Sequence, residues 1–182
     1  MQFLKRFIAP LLLLSACCSR PEVAKPVPSY DPKTGKLTRL EADLVGKDGR
    51  PDTWTYMDGA VPLRTEQDLN QDGRIDRWEY VDPQGRIQKV LISASGSADK
   101  ISRWETYNEG LLTTVEEDTN GDGRPDQWEK HSGVPILSVE FDRNFDGMPD
   151  ERWTYGVGGA LEWIESGPDG VGGYLKKTKP LK

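Results

Sequence analysis

Tryptophan returns about every 25 residues, at positions 54, 78, 104, 128 and 153, and in most units an acidic bend comes just before it. A period of that length means one supersecondary unit copied along the chain, each copy burying its apolar side against its neighbours. One unit reads as an Asp/Gly loop, a Trp-x-Tyr strand, a tight turn at Gly, a second strand and the next loop. Tyr30-Asp31-Pro32-Lys33-Thr34-Gly35-Lys36-Leu37 and Tyr80-Val81-Asp82-Pro83-Gln84-Gly85-Arg86-Ile87 fill the turn slot. So do Asn108-Glu109-Gly110-Leu111 and Ser132-Gly133-Val134-Pro135-Ile136.

Alternation makes these segments strands. Trp54/Tyr56, Trp78/Tyr80 and Trp153/Tyr155 are two apart, so each pair projects from one face of a pleated strand. Leu137, Val139 and Phe141 behave likewise, as do Leu161 and Trp163. No window holds apolar residues at helical spacing for more than a turn, and Gly or Pro interrupts the chain every ten residues or so. The expected fold is all-β: an elongated array of about five to six β-hairpin repeats of ~25 residues, joined by Asp-rich loops, over residues 30–175.

The loops carry the chemistry. In Asp68-Leu69-Asn70-Gln71-Asp72-Gly73-Arg74-Ile75-Asp76-Arg77-Trp78-Glu79, oxygen ligands fall at positions one, three, five, nine and twelve, with Gly at six. That is the ligand order of a twelve-residue calcium loop. Asp68, Asn70, Asp72, Asp76 and Glu79 would offer side chains and Arg74 its carbonyl. Asp118, Asn120, Asp122, Arg124, Asp126 and Glu129 repeat the set in full. Asp142, Asn144, Asp146, Met148 and Asp150 repeat the first nine positions. An extra residue is then read before the tryptophan, so that Trp153 takes position twelve. Two full Ca²⁺ sites and a third, partial one are therefore expected. The first loop, with Leu44 and Gly46 at positions one and three, and the third, from Ala94 to Glu105, keep the bend without the ligands. Glu165 to Gly170 reads as a sixth remnant that caps the array. Pro83 and Gly85 leave no room for an exiting helix, so the loops are EF-hand-like but set on β-structure.

Residues 1–16 read as a signal peptide: Lys5 and Arg6, an apolar run from Phe7 to Leu14, then small residues. Residues 17–29, rich in proline, read as a tether, and 176–182 as a basic, solvated tail. Without residues 1–16 the chain has 22 Lys and Arg (24 less Lys5 and Arg6) against 30 Asp and Glu, a net charge of −8. Such an acidic balance disfavours nucleic acid as a partner. The two cysteines, Cys17 and Cys18, are adjacent and cannot staple the repeats.

Leu14-Ser15-Ala16-Cys17 resembles the lipobox of bacterial lipoproteins. That resemblance implies cleavage before Cys17, lipidation of Cys17 and, with Cys18 rather than aspartate following, an outer-membrane location. The acidic loops resemble thrombospondin type 3 repeats, which however carry cysteines absent here. The Trp-x-Tyr, turn, Gly-x-Leu cadence is similar to MORN-like hairpin repeats, which lack the calcium loop.

The function these features imply is a lipid-anchored envelope protein whose calcium-stabilised repeats act as a spacer or binding module. Its partners would be the membrane, through Cys17, and an envelope protein or glycan. The alternative is a glycan-binding protein or glycan-active enzyme that uses surface aromatics. No nucleophile elbow, zinc spacing or phosphate loop is present, so no catalytic residues are assigned. His131 reads as a solvated turn residue.

Overall fold

The computed structural model describes residues 25–98 and 100–180. The signal sequence, Cys17, Cys18 and residues 19–24 of the tether lie outside them. Thirteen strands and no helix are present among the described residues. They are β1 (Val27–Tyr30), β2 (Leu37–Ala42), β3 (Thr53–Asp58), β4 (Val61–Gln67), β5 (Arg77–Val81), β6 (Ile87–Ile92) and β7 (Arg103–Asn108). There follow β8 (Leu111–Glu117), β9 (Gln127–His131), β10 (Ile136–Phe141), β11 (Glu151–Tyr155), β12 (Leu161–Pro168) and β13 (Tyr174–Thr178). All belong to one antiparallel sheet whose spatial order is the sequence order. The array is wider than the sequence indicates, because β1 takes residues from the tether and β13 takes the start of the basic tail.

A meander puts every second connection at the same end of the sheet. The long loops after β2, β4, β6, β8 and β10, Asp-rich except the one after β6, therefore line one end, and the tight turns line the other. Neighbouring strands lie about 4.8 Å apart, so successive loops recur about every 9.6 Å. Each hairpin closed by a tight turn carries a register shift near that turn. The pairs joined by Asp-rich loops carry none. A bulge repeated once per unit adds twist at the turn end and leaves the loop end regular.

One face is closed. Val90, Val115 and Val139 are the only buried apolar residues among the described residues. In register, Val90 sits between Glu79 and Glu105, Val115 between Glu105 and Glu129, and Val139 between Glu129 and Trp153. The glutamates flank the valines in register and hold their charge in pairs: Glu79 with Arg77 at 2.7 Å and Glu105 with Arg103 at 2.7 Å. This is how a single sheet buries anything without a second layer.

The other face carries a row running across the whole sheet: Glu41, Trp54, Glu66, Trp78, Leu91, Trp104, Glu116, Trp128, Glu140, Arg152, Glu165 and Lys177. Beside it runs Arg39, Tyr56, Arg64, Tyr80, Lys89, Thr106, Thr114, Lys130, Ser138, Thr154 and Trp163. Trp153 breaks the series. The loop before it has the same nine residues, 142–150, as its counterparts 68–76 and 118–126, so there is no insertion. Instead Glu151-Arg152-Trp153 replaces Gln127-Trp128-Glu129, which moves the indole to the closed face, edge-on to Phe141 with ring centroids 5.1 Å apart.

Candidate metal-binding edge

The three loops read as calcium sites share one hydrogen-bonding scheme. At position nine, Asp76 accepts the N–H groups of Leu69 (2.8 Å) and Asn70 (3.2 Å). Asp126 accepts those of Thr119 (3.0 Å) and Asn120 (3.1 Å), and Asp150 those of Arg143 (2.8 Å) and Asn144 (3.1 Å). At position one, Asp68, Asp118 and Asp142 accept the N–H of the position-six glycine at 2.8, 2.8 and 2.7 Å. At position five, Asp72, Asp122 and Asp146 accept the N–H of residue seven at 2.9, 2.8 and 2.9 Å. Those N–H groups would otherwise be unpaired in a loop that has no ladder of its own.

Glycine is needed at position six, where φ is +88°, +90° and +92° in Gly73, Gly123 and Gly147. Position four is also left-handed, and there Gln71 and Phe145 stand at φ near +60° where Gly121 is at ease.

The loop bases are stitched together. Asp68 N–H bonds Asp52 O, Ser93 bonds Asp76, Asp118 bonds Ser102 and Asp142 bonds Asp126, each at 2.8 or 2.9 Å. Position nine is thus buried in most units: Asp52, Asp76 and Asp126 are all at most 6% exposed.

Position three lies where a cation would be drawn. The Asn144 amide nitrogen is 3.1 Å from Asp146 Oδ2 and 3.5 Å from Asp150 Oδ1. Asn70 Nδ2 reaches Asp76 Oδ1 at 3.4 Å, and Asn120 Nδ2 reaches Asp122 Oδ2 at 3.3 Å. A positive amide edge therefore stands between the acids of the loop. No group of three or more carboxylate, imidazole or thiol side chains among the described residues is gathered tightly enough to hold an ion as it stands.

Position twelve behaves differently from positions one, five and nine. Glu79 and Glu129 are two residues up the strand, on the closed face. Glu79 pairs with Arg77, while Glu129 binds His131 Nε2 at 2.8 Å and accepts Gln127 Nε2 at 3.2 Å. The loop closes at position nine, and the glutamates belong to the valine row. His131 is not a solvated turn residue either. It ends β9 with a side chain only 10% exposed, and its Nδ1 is buried without a hydrogen-bond partner.

The two loops that keep the bend without the ligand order prove closely related to the others. In the first, Asp43 rather than Leu44 holds position one: it accepts Gly49 N–H at 2.6 Å, while Asp52 takes those of Leu44 and Val45 at 3.0 and 2.6 Å. The loop has one residue more than its counterparts, so counting back from Trp54 misplaces its start by one. Asp43 Oδ1 is buried and unpartnered. In the third loop Ser93 and Ser102 stand in for the two aspartates. Ser93 Oγ accepts N–H from Ser95 (3.3 Å) and Ser97 (3.1 Å), and Ser102 Oγ accepts Ala94 N–H at 3.4 Å. Hydroxyls keep the turn at the two cap positions without the charge. Clefts open between neighbouring loops, about 410 Å³ between the third and fourth and about 320 Å³ between the first and second.

On the closed face, burial raises the Glu105 carboxyl, but bonds from Arg103 and Tyr107 outweigh it and hold the group below its ordinary value of 4.5. A depressed acid contributes stability above its unfolded value and loses it as pH falls through the folded one. Burial, then the bond to Glu105, pushes the Tyr107 phenol up to about 12 from 10.0. Its contribution is complete below pH 10 and lost as pH rises from there through about 12. Unfolding followed by circular dichroism should show both limbs, and Tyr107→Phe should shrink the alkaline one.

No protein-family model and no curated protein matches the chain. Among solved structures it is similar to the crystal structure of accessory secretory protein 1, 2 and 3 in Streptococcus pneumoniae, at a TM-score of 0.40 and 13% identity. The match covers 77% of this chain and 23% of that one, so the chain spans under a quarter of its length. A likeness that low carries no argument about fold or function.

Proposed function

We propose that the chain is an exported, lipid-anchored repeat module whose loop edge takes up calcium to stiffen the sheet. One observation carries the metal reading: the same nine-residue loop, with aspartates at one, five and nine and asparagine at three, occurs three times at one end of the sheet. The donor set is oxygen only, which suits a hard cation of flexible geometry better than zinc, and Mg²⁺ resists so complete an exchange of its water.

This reading takes a smaller ligand set than the twelve-position template. Positions one, three, five and nine, with the carbonyl of residue seven, would bind, and the Asn70, Asn120 and Asn144 amides would turn to offer oxygen. Glu79 and Glu129 stay on the closed face. A loop without a bidentate closing carboxylate holds its ion weakly, in the range of extracellular modules at ~0.1–1 mM. At ten times the dissociation constant each site would add about 1.4 kcal/mol.

Anchoring rests on the lipobox-like Leu14-Ser15-Ala16-Cys17 alone. In this reading β1 begins ten residues after Cys17, close enough to hold the sheet beside the bilayer.

Melting the chain in calcium, in magnesium and in chelator tests the metal. Calcium should raise Tm by about 10 °C for two to three sites, magnesium by little. An unchanged Tm at ~10 mM calcium would remove the metal from the reading. Palmitate labelling that is lost in Cys17→Ser tests the anchor in the same preparation.

A further inference from the structure

The open face is not explained by a spacer role. Trp54, Trp78, Trp104 and Trp128 are all half-buried, lie in one cross-strand row, and come from every second strand. Their spacing is therefore about 9.6 Å, set by the sheet itself. The exposed part of each indole offers an apolar π-surface along this row.

Charge narrows the occupant. The two rows of this face hold five carboxylates and six cations, and these largely neutralise each other. Arg39 pairs with Glu41, Arg64 with Glu66 at 2.8 Å, Arg152 with Glu140 at 2.6 Å, and Lys177 with Glu165 at 3.0 Å. A polyanion would meet the carboxylates and a polycation the guanidinium groups, with no net attraction in either case. An uncharged polymer meets donors and acceptors on both sides of each indole, including the exposed hydroxyl of Thr106 and the exposed carboxylate of Glu116. A β-1,4-linked sugar chain shows the same face at every second residue, so a ring on every second strand can engage it repeatedly.

We infer that this face binds a linear, uncharged polysaccharide, laid across the strands with sugar rings stacked on Trp54, Trp78, Trp104 and Trp128. The inference goes beyond the calcium reading and does not depend on it. Binding through a row of equivalent stacks is multivalent, so it strengthens with oligomer length. No bond is made or broken.

Chitohexaose is the probe, with chitotriose, heparin and polylysine beside it, all added to the full chain in calcium and again in chelator. Circular dichroism confirms the fold in each case. Chitohexaose should protect the tryptophans from acrylamide quenching and bind at least about tenfold more tightly than chitotriose. Trp78→Ala and Trp104→Ala should each weaken it about tenfold. The quenching measurement needs no variant, so it decides the matter even if an indole proves necessary for folding. Protection by heparin or polylysine but not by chitohexaose would overturn the inference in favour of a charged partner. Protection that instead tracks dimer formation in sedimentation would assign the face to a second copy and overturn it equally. Sugar binding with no calcium effect, or the reverse, shows which of the two readings has failed.

Discussion

Asp126→Ala should lower the unfolding free energy by about 3 kcal/mol, and it should do so with chelator present. Asp126 is 5% exposed and takes three hydrogen bonds: Thr119 N–H at 3.0 Å, Asn120 N–H at 3.1 Å and Thr119 Oγ at 2.6 Å. Bonds to a charged acceptor are worth about 1.5–3 kcal/mol each, though Thr119 and Asn120 are exposed enough for water to recover part of the loss. Asp126→Asn keeps one acceptor oxygen and should lose roughly half as much. Urea unfolding of the three chains, in calcium and in chelator, separates two roles for one side chain. The loss in chelator measures the turn that the carboxylate holds by itself; any further loss in calcium measures the ion. Equal stability of Asp126→Ala and the parent in chelator would mean that the backbone bonds contribute nothing and that the loops are organised by metal alone.

That experiment reaches the point where sequence and structure part. The alternation of Trp54/Tyr56 and Trp78/Tyr80, with Gly at every tight turn, was enough to specify antiparallel hairpins, because the side-chain period of a strand is a local property. The stitching of one loop base to the next was not legible, since it depends on which carbonyl faces which N–H across strands. The shared turn was legible for Asp68 to Asp76 and its two counterparts, yet the twelve-position template carried Glu79 and Glu129 along with it. Counting positions along a chain assumes that the chain keeps curling, as it does when a helix follows the loop. Here a strand begins at position ten, and each further residue moves the side chain away from the focus and onto a face. Asp43 was missed for the opposite reason: one extra residue in its loop shifts the count while the bend adjusts to keep the cap. Ser93 and Ser102 were missed because a metal template sees only lost charge, whereas a turn needs only an acceptor. His131 follows the same logic as Tyr107, which donates its hydroxyl to Glu105 at 2.7 Å. It is a ring that pairs with the glutamate two residues before it.

Val115→Asp should be the most damaging single change, costing about 5 kcal/mol or more. The side chain is 0% exposed and lies in register between Glu105 and Glu129. Directly opposed residues stand about 5 Å apart across a sheet, so a third carboxylate would face two others from inside the row. Protonation relieves the repulsion but leaves an acid in the slot of a methyl pair. Val115→Thr tests volume separately from charge and should cost about 1–2 kcal/mol, because its hydroxyl has the size of the methyl it replaces and is only a polar burden. The location of the damage matters as much as its size. Main contacts run only between strands adjacent in sequence, so no second layer spreads the defect. Hydrogen exchange on Val115→Asp should therefore show protection lost across β7 to β10 and retained in β2 to β4, as a one-dimensional array requires. Uniform loss over all thirteen strands would show instead that the sheet melts as one unit and that the valine row, rather than the loop edge, sets its cooperativity.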